Sequence, residues 1–137
     1  MRTSILFVDD SPQDRELMAI VTGRLSLEVE LHSVGGVDDA LAFLDKACPS
    51  LQIIITDLKM PGRDGVELVR AIRHRPTRST IPVIVLTSSA TPQDRERAYG
   101  AGCNAYHEKP FSLSDFTRLM GETLHYWLRC VRLPVVN

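Results

Sequence analysis

Five residues of this chain have types and positions that could do chemistry together: Asp9, Asp10, Asp57, Thr87 and Lys109. Each lies at the end of a short apolar run. Asp9 and Asp10 follow SILFV, Asp57 follows LQIIIT, Thr87 closes PVIVLT, and Lys109 comes just after NAYH. Carboxylates brought together repel one another and raise each other's pKa, so such a cluster is costly unless a cation neutralises it. Hard oxygen donors without sulfur or imidazole suit Mg²⁺ rather than zinc or copper. Mg²⁺ keeps several of its waters, so a few carboxylates and a backbone carbonyl suffice to hold it, and an incoming phosphoryl oxygen can replace a water. Lys109 adds a fixed positive charge and Thr87 a hydroxyl. That combination suits phosphoryl transfer, where positioning and charge neutralisation supply most of the catalysis.

Elements that could bring these residues together are visible in the hydropathy pattern. The runs at 4–8, 51–56 and 82–87 are short, nearly continuous and rich in Ile and Val, as strands covered on both faces are; NAYH (104–107) is a shorter fourth. EVELHSV (28–34) alternates apolar and polar residues, as a half-exposed edge strand does. Helical periods fill the intervals. Residues 12–25 place Leu17, Met18, Val21 and Leu25 on one face; 37–47 place Val37, Leu41 and Leu44 there, with Ala40 and Ala47 beside them. Residues 64–74 offer Val66, Leu68, Val69 and Ile72, whereas 92–101 have only Ala98, Tyr99 and Ala101 to bury. From 113 to 131 a stripe runs through Leu113, Phe116, Leu119, Met120, Leu124, Trp127, Leu128 and Val131. Five alternations of strand and helix predict an α/β fold with a parallel sheet and helices on both faces. In such a sheet ligands bind beyond the carboxyl ends of the strands, where all five polar residues are expected.

Composition narrows the class. A chain of 137 residues that is 44% hydrophobic builds about one core. A net charge of −1 gives no footprint for nucleic acid or an anionic membrane. Cys48, Cys103 and Cys130 are odd in number and scattered, which fits reduced thiols rather than disulfides or zinc. His32, His74, His107 and His125 show no metal-ligand spacing either. No run approaches the ~18 residues of a membrane span, and the N-terminus enters a strand without a signal-like segment. A cytoplasmic protein is expected.

Ser11-Pro12-Gln13-Asp14-Arg15-Glu16 recurs as Thr91-Pro92-Gln93-Asp94-Arg95-Glu96. The flanking residues do not match, so helix-start grammar explains the echo better than duplication. A hydroxyl caps, Pro at the first helical position loses no hydrogen bond, and Asp in the first turn faces the positive end of the dipole. Asp64-Gly65 reads as another helix start without chemistry. The run Arg70, Arg73, Arg75, Arg78 reads as a solvated charged face, and His107 and Cys103 as residues without a special role.

Four motifs in register carry a family resemblance: Asp9-Asp10; Asp57-Leu58-Lys59-Met60-Pro61-Gly62-Arg63-Asp64-Gly65; Leu86-Thr87-Ser88-Ser89-Ala90; and Tyr106-His107-Glu108-Lys109-Pro110. From about Ser4 to the last helix the chain resembles the receiver domain of two-component response regulators, of the single-domain chemotaxis type. The resemblance implies a flavodoxin-like five-stranded sheet of order 2-1-3-4-5. It implies that Asp57 takes a phosphoryl group from a sensor histidine kinase. Asp10, Asp57 and the backbone carbonyl of Lys59 would bind Mg²⁺ directly, and Asp9 through water. It also implies that Lys109 pairs with the phosphoryl group, that Lys109-Pro110 is a cis peptide, that Thr87 hydrogen-bonds a phosphoryl oxygen, and that Tyr106 swings inward as Thr87 moves. The side chains of Lys59 and Ser89 would tune the phosphoryl lifetime.

The expected unit is one receiver domain over 1–137, with its core at about 4–128 and an extension at 129–137. That leaves no residues for a DNA-binding output domain, so output by protein contact, phosphorelay or phosphate draining is expected, without catalysis beyond the domain's own phosphorylation and dephosphorylation. The apolar ending from Tyr126 to Asn137, closed by Leu133-Pro134-Val135-Val136, either folds back on the domain or serves as a dimerisation arm. It is similar to the ending of single-domain receivers paired with phytochrome-like kinases, which implies a homodimer. Three other folds or roles fit the residues less well. A phosphatase of the haloacid dehalogenase type needs an acid two residues after the nucleophile, where this chain has Lys59. A nucleotide- or flavin-binding module needs a phosphate-cradling loop where Asp9-Asp10 would repel one. A degenerate receiver acting only as a binding module would not keep all five site residues.

Overall fold

A computed structural model describes residues 2–134; the expectations for Val135, Val136 and Asn137 lie outside the described residues. Strands β1 (Thr3–Val8), β2 (Val29–Val34), β3 (Leu51–Thr56), β4 (Val83–Thr87) and β5 (Ala105–Glu108) alternate with helices α1 (Pro12–Arg24), α2 (Val37–Leu44), α3 (Gly65–Arg73), α4 (Pro92–Ala101) and α5 (Leu113–His125). The strands form one parallel sheet in the order β2-β1-β3-β4-β5.

Alternation along the strands divides the core in two. Ile5, Phe7, Ile53, Ile55, Ile84 and Leu86 face α1 and α5, where Met18, Val21, Phe116, Met120 and Leu124 meet them. Leu6, Val8, Ile54, Val83 and Val85 face the other way, against Val37, Ala40, Val69, Ile72 and Ala98 of α2, α3 and α4. β1, β3 and β4 are buried almost throughout, whereas β2 and β5 form the half-covered edges. The caps follow the expected grammar. Ser11, Thr91 and Ser112 each accept the N–H of the Asp three residues on, and Asp64 accepts that of Glu67 at α3.

Several expectations need correction. α2 ends at Leu44 and leaves Ala47 exposed, because the chain must turn toward β3. Tyr99 is 48% exposed and Leu113 is 50% exposed, since α4 and α5 bury narrower stripes than their apolar residues allow. The last turns, Tyr126–Cys130, widen into a π-helix closed by the Val131 N–H on the Tyr126 carbonyl at 2.9 Å. No described peptide bond is cis, so Lys109-Pro110 is trans, the form an X-Pro bond favours by about 0.5–1 kcal/mol.

Within the arginine run Arg70 is exposed as expected, but Arg73, Arg75 and Arg78 are partly buried and bonded. Arg73 is half-buried, and its guanidinium donates to the carbonyls of Gly102, Ser79 and Ile81 and to Asn104 Oδ1, at 2.7–3.0 Å. Arg75 donates to the Leu44 carbonyl and Arg78 to that of Cys48. Arg73 thereby joins the end of α3 to the turns that lead into β4 and β5. Gly102 closes α4 with φ 112°, a conformation that disfavours a side chain, and the stem of Arg73 fills the space a Cβ would need. Arg73→Met keeps the stem and strands those acceptors. It should lower stability by about 2–3 kcal/mol, read as an earlier urea midpoint with an unchanged slope.

Candidate functional site

The ladders of the sheet continue for one residue beyond the strands, and that residue is the polar one. Asp9 N–H donates to the Val34 carbonyl, Asp57 N–H to that of Val8, and Lys109 N–H to that of Thr87, at 2.8–3.1 Å. The apolar strands therefore fix the backbones of three charged residues at one edge of the sheet. Asp9, Asp57 and Thr87 are buried there, and Asp10 faces solvent.

Carboxylate oxygens of Asp9, Asp10 and Asp57 all lie within 4.8 Å of one another. Between them reaches the Lys109 ammonium, which donates to Asp9 Oδ2 at 2.7 Å, Asp14 Oδ2 at 2.8 Å and Asp57 Oδ2 at 2.9 Å. Three donors thus meet three carboxylates. The outer oxygens are held as well: Asp9 Oδ1 accepts the Ser11 N–H at 2.9 Å, and Asp57 Oδ1 the Leu58 N–H at 2.7 Å. Burial alone would lower the Lys109 pKa, but the bonds it donates to Asp14, Asp9 and Asp57 raise it above the ordinary lysine range. Burial raises the Asp9 carboxyl above its usual value despite the Lys109 bond.

Asp14 is the residue that sequence reasoning missed. Its place in the first turn of α1 was explained by capping and the helix dipole, and its N–H does donate to Ser11 Oγ. Its side chain, however, completes the shell around Lys109. The available signal was position, since the turn that starts at the acidic pair swings the first turn of α1 over the same edge.

The other expected residues are close by. Thr87 ends β4, and its hydroxyl accepts the Ser89 N–H at 3.4 Å. Tyr106 is half-buried on β5 and donates its hydroxyl to the Ser89 carbonyl at 3.0 Å. Lys59 turns its side chain away from the carboxylates toward Asp94, with N–O distances of 3.2 and 3.3 Å. Asp64 caps α3 as expected. Gly65 contributes more than a helix start: its N–H donates to the Leu58 carbonyl at 2.8 Å, and its bare Cα packs against the Asp57–Leu58 backbone.

Three oxygen-donor side chains without sulfur or imidazole, at mutual distances that one ion can bridge, fit a small hard dication that retains several waters. A phosphoryl group arriving beside Asp57 would find the Lys109 ammonium and the Thr87 hydroxyl at the same edge.

Comparison with known proteins agrees with this geometry. The response regulator receiver domain family matches residues 5–120. The chain belongs to that family. Response regulator Rcp1 of Synechocystis sp. is 32% identical over 135 residues, covering 95% of this chain and 92% of Rcp1. The phosphorylated cyanobacterial phytochrome response regulator RcpA superposes with a TM-score of 0.89 at 27% identity, covering 98% of this chain and 99% of RcpA. The Mn²⁺-bound form of Rcp1 superposes at 0.85 with 31% identity, covering 96% and 99%. As a receiver domain, this chain is of the type that takes phosphoryl groups from sensor histidine kinases. Among the described residues no helix is long and apolar enough to cross a membrane.

Proposed function

We propose that the chain acts as a single-domain response regulator. A phosphoryl group passes from the phosphohistidine of a sensor kinase to Asp57, and output follows by protein contact or phosphorelay. The observation that carries this reading is the Lys109 ammonium bonded to Asp9, Asp14 and Asp57 inside a three-carboxylate cluster. Asp10, Asp57 and the Lys59 carbonyl would hold Mg²⁺, with Asp9 acting through water, and the metal would neutralise charge on the phosphoryl oxygens. The chain's own groups do the rest. Asp57 presents its carboxylate, Lys109 offers an ammonium that can turn to the incoming group, Thr87 supplies a hydroxyl, and Tyr106 follows Thr87 through their shared partner Ser89. The domain then catalyses only its own phosphorylation and dephosphorylation, in the cytoplasm. The near-complete mutual coverage with Rcp1 and RcpA supports reading residues 1–137 as one receiver unit and supports a phytochrome-like kinase as the donor.

Mg²⁺ at ~100 times its dissociation constant should stabilise the protein by about 2.7 kcal/mol, read as a rise in melting temperature. Label should also pass from a phosphorylated histidine kinase in Mg²⁺ and not in chelator. Asp10→Ala should abolish the first effect and reduce the second. A wild type whose melting temperature ignores Mg²⁺ would overturn the metal assignment.

The C-terminal segment is read as a dimerisation surface. Tyr126 is 56% exposed, and Leu119, Tyr126, Trp127 and Val131 line an open, largely apolar groove beside edge strand β5. A second copy would bury that groove through a symmetric contact. Truncation after Trp127 should lower the apparent mass in sedimentation; an unchanged dimer would clear this segment of the role.

A further inference from the structure

The second copy of the hexapeptide also captures a lysine. Asp94, in the first turn of α4, has a side chain only 11% exposed. It accepts from Lys59 Nζ at 3.2 and 3.3 Å, from Ser89 Oγ at 2.5 Å and from Arg97 Nη1 at 3.3 Å. The other branch of Arg97 reaches Asp64, the cap of α3, at 3.3 Å. These bonds, with Ser89 first and Lys59 next, hold the Asp94 carboxyl down at about 2. One carboxylate outside the acidic trio therefore gathers a residue from the loop after Asp57, one from the loop after Thr87, and the starts of two helices.

Lys59 is two residues from Asp57, on a stem long enough to turn either way. Its ammonium is a cation that the acidic trio would attract, and a lysine lodged there would compete with a metal ion for the same oxygens. From this arrangement we infer that Asp94 is a positioning residue: it holds the Lys59 ammonium on the α4 side and so keeps a second ammonium, beside that of Lys109, off the oxygens that Mg²⁺ needs. The inference rests on the receiver reading of the trio. Without the Asp94 carboxylate, Lys59 swings to Asp57 and lowers the affinity of the site for the dication. Ser89 loses its hydroxyl partner in the same step.

Calorimetric titration of Mg²⁺ into four proteins tests this: wild type, Asp94→Asn, Lys59→Met and the double variant. Asp94→Asn should weaken binding about fivefold, the scale of one unit charge moved within a partly solvated site. In the Lys59→Met background the same substitution should change affinity little, because the competitor is gone. Should Asp94→Asn fail to fold, Asp94→Ser, which keeps a hydroxyl for Ser89, takes its place with the same expectations. Unchanged affinity in the single variant, or an equal loss in both backgrounds, would overturn the inference while leaving the metal site intact. Absence of Mg²⁺ binding by the wild type would overturn the site itself.

Discussion

Asp57→Asn should fold normally and take up no phosphoryl group. With Mg²⁺ and a small acyl-phosphate donor, the wild type should gain one phosphoryl group by intact mass, while the variant stays at background. The choice of Asp57 among three neighbouring acids follows from their surroundings. Asp9 is fully buried, its carboxyl raised by burial, and both of its oxygens accept bonds, from Ser11 and Lys109. Asp10 is exposed and is not among the three carboxylates that the Lys109 ammonium bonds. Asp57 sits at the rim with one oxygen fixed by the Leu58 N–H and the other on Lys109. The variant should fold because Lys109 keeps Asp9 and Asp14 as partners and the amide can still accept from Leu58. Its loss is chemical, since an amide oxygen is too weak a nucleophile to displace a phosphoryl leaving group. Labelling of the Asn variant at the wild-type rate would move the acceptor elsewhere.

The second large effect belongs to a residue without a side chain. Gly65→Ala places a methyl where it would overlap the Asp57 carbonyl oxygen and stand 2.9 Å from Leu58 Cα. Both obstacles are backbone, so no rotamer relieves the contact. Either α3 is pushed off its seat or the loop carrying Asp57 moves. Overpacking of this kind costs more than about 3 kcal/mol when backbone must yield. The denaturation midpoint should fall accordingly, and Mg²⁺ affinity should fall with it, because Asp57 and the Lys59 carbonyl lie on the displaced loop. Wild-type stability in Gly65→Ala would show that the loop can step aside without loss.

What the sequence revealed and what it concealed follow from the range of the interactions. Asp9, Asp10, Asp57, Thr87 and Lys109 were legible because each stands at the end of an apolar strand, and strand ends in a parallel sheet share one edge. The sheet was legible for the same reason: Ile53-Ile54-Ile55 and Val83-Ile84-Val85-Leu86 have no stable home except between two layers of helices. Asp14 and Asp94 were hidden by a sufficient local explanation. Capping accounts for an Asp in the first turn, and nothing in a one-dimensional pattern shows that its carboxylate also meets a lysine 95 or 35 residues away. Arg73 was misread because charge predicts exposure on average, whereas three carbonyls from two turns can solvate a guanidinium as water does. The contact behind Gly65 joins backbones of two separate segments, which spacing does not encode.

The reach of Lys109 has a consequence for how the protein comes into being. Its bond to Asp9 spans 100 residues and its bond to Asp57 spans 52, and it directly follows β5, the last of the described strands to be synthesised. Contacts this distant in sequence form late, after loop closure has been met by nearer ones. A nascent chain with β1 to β3 in place already clusters its three acids, but has no ammonium among them. The neutralising charge arrives only when the final strand docks beside β4. Completion of the fold and neutralisation of the acidic edge are therefore one event.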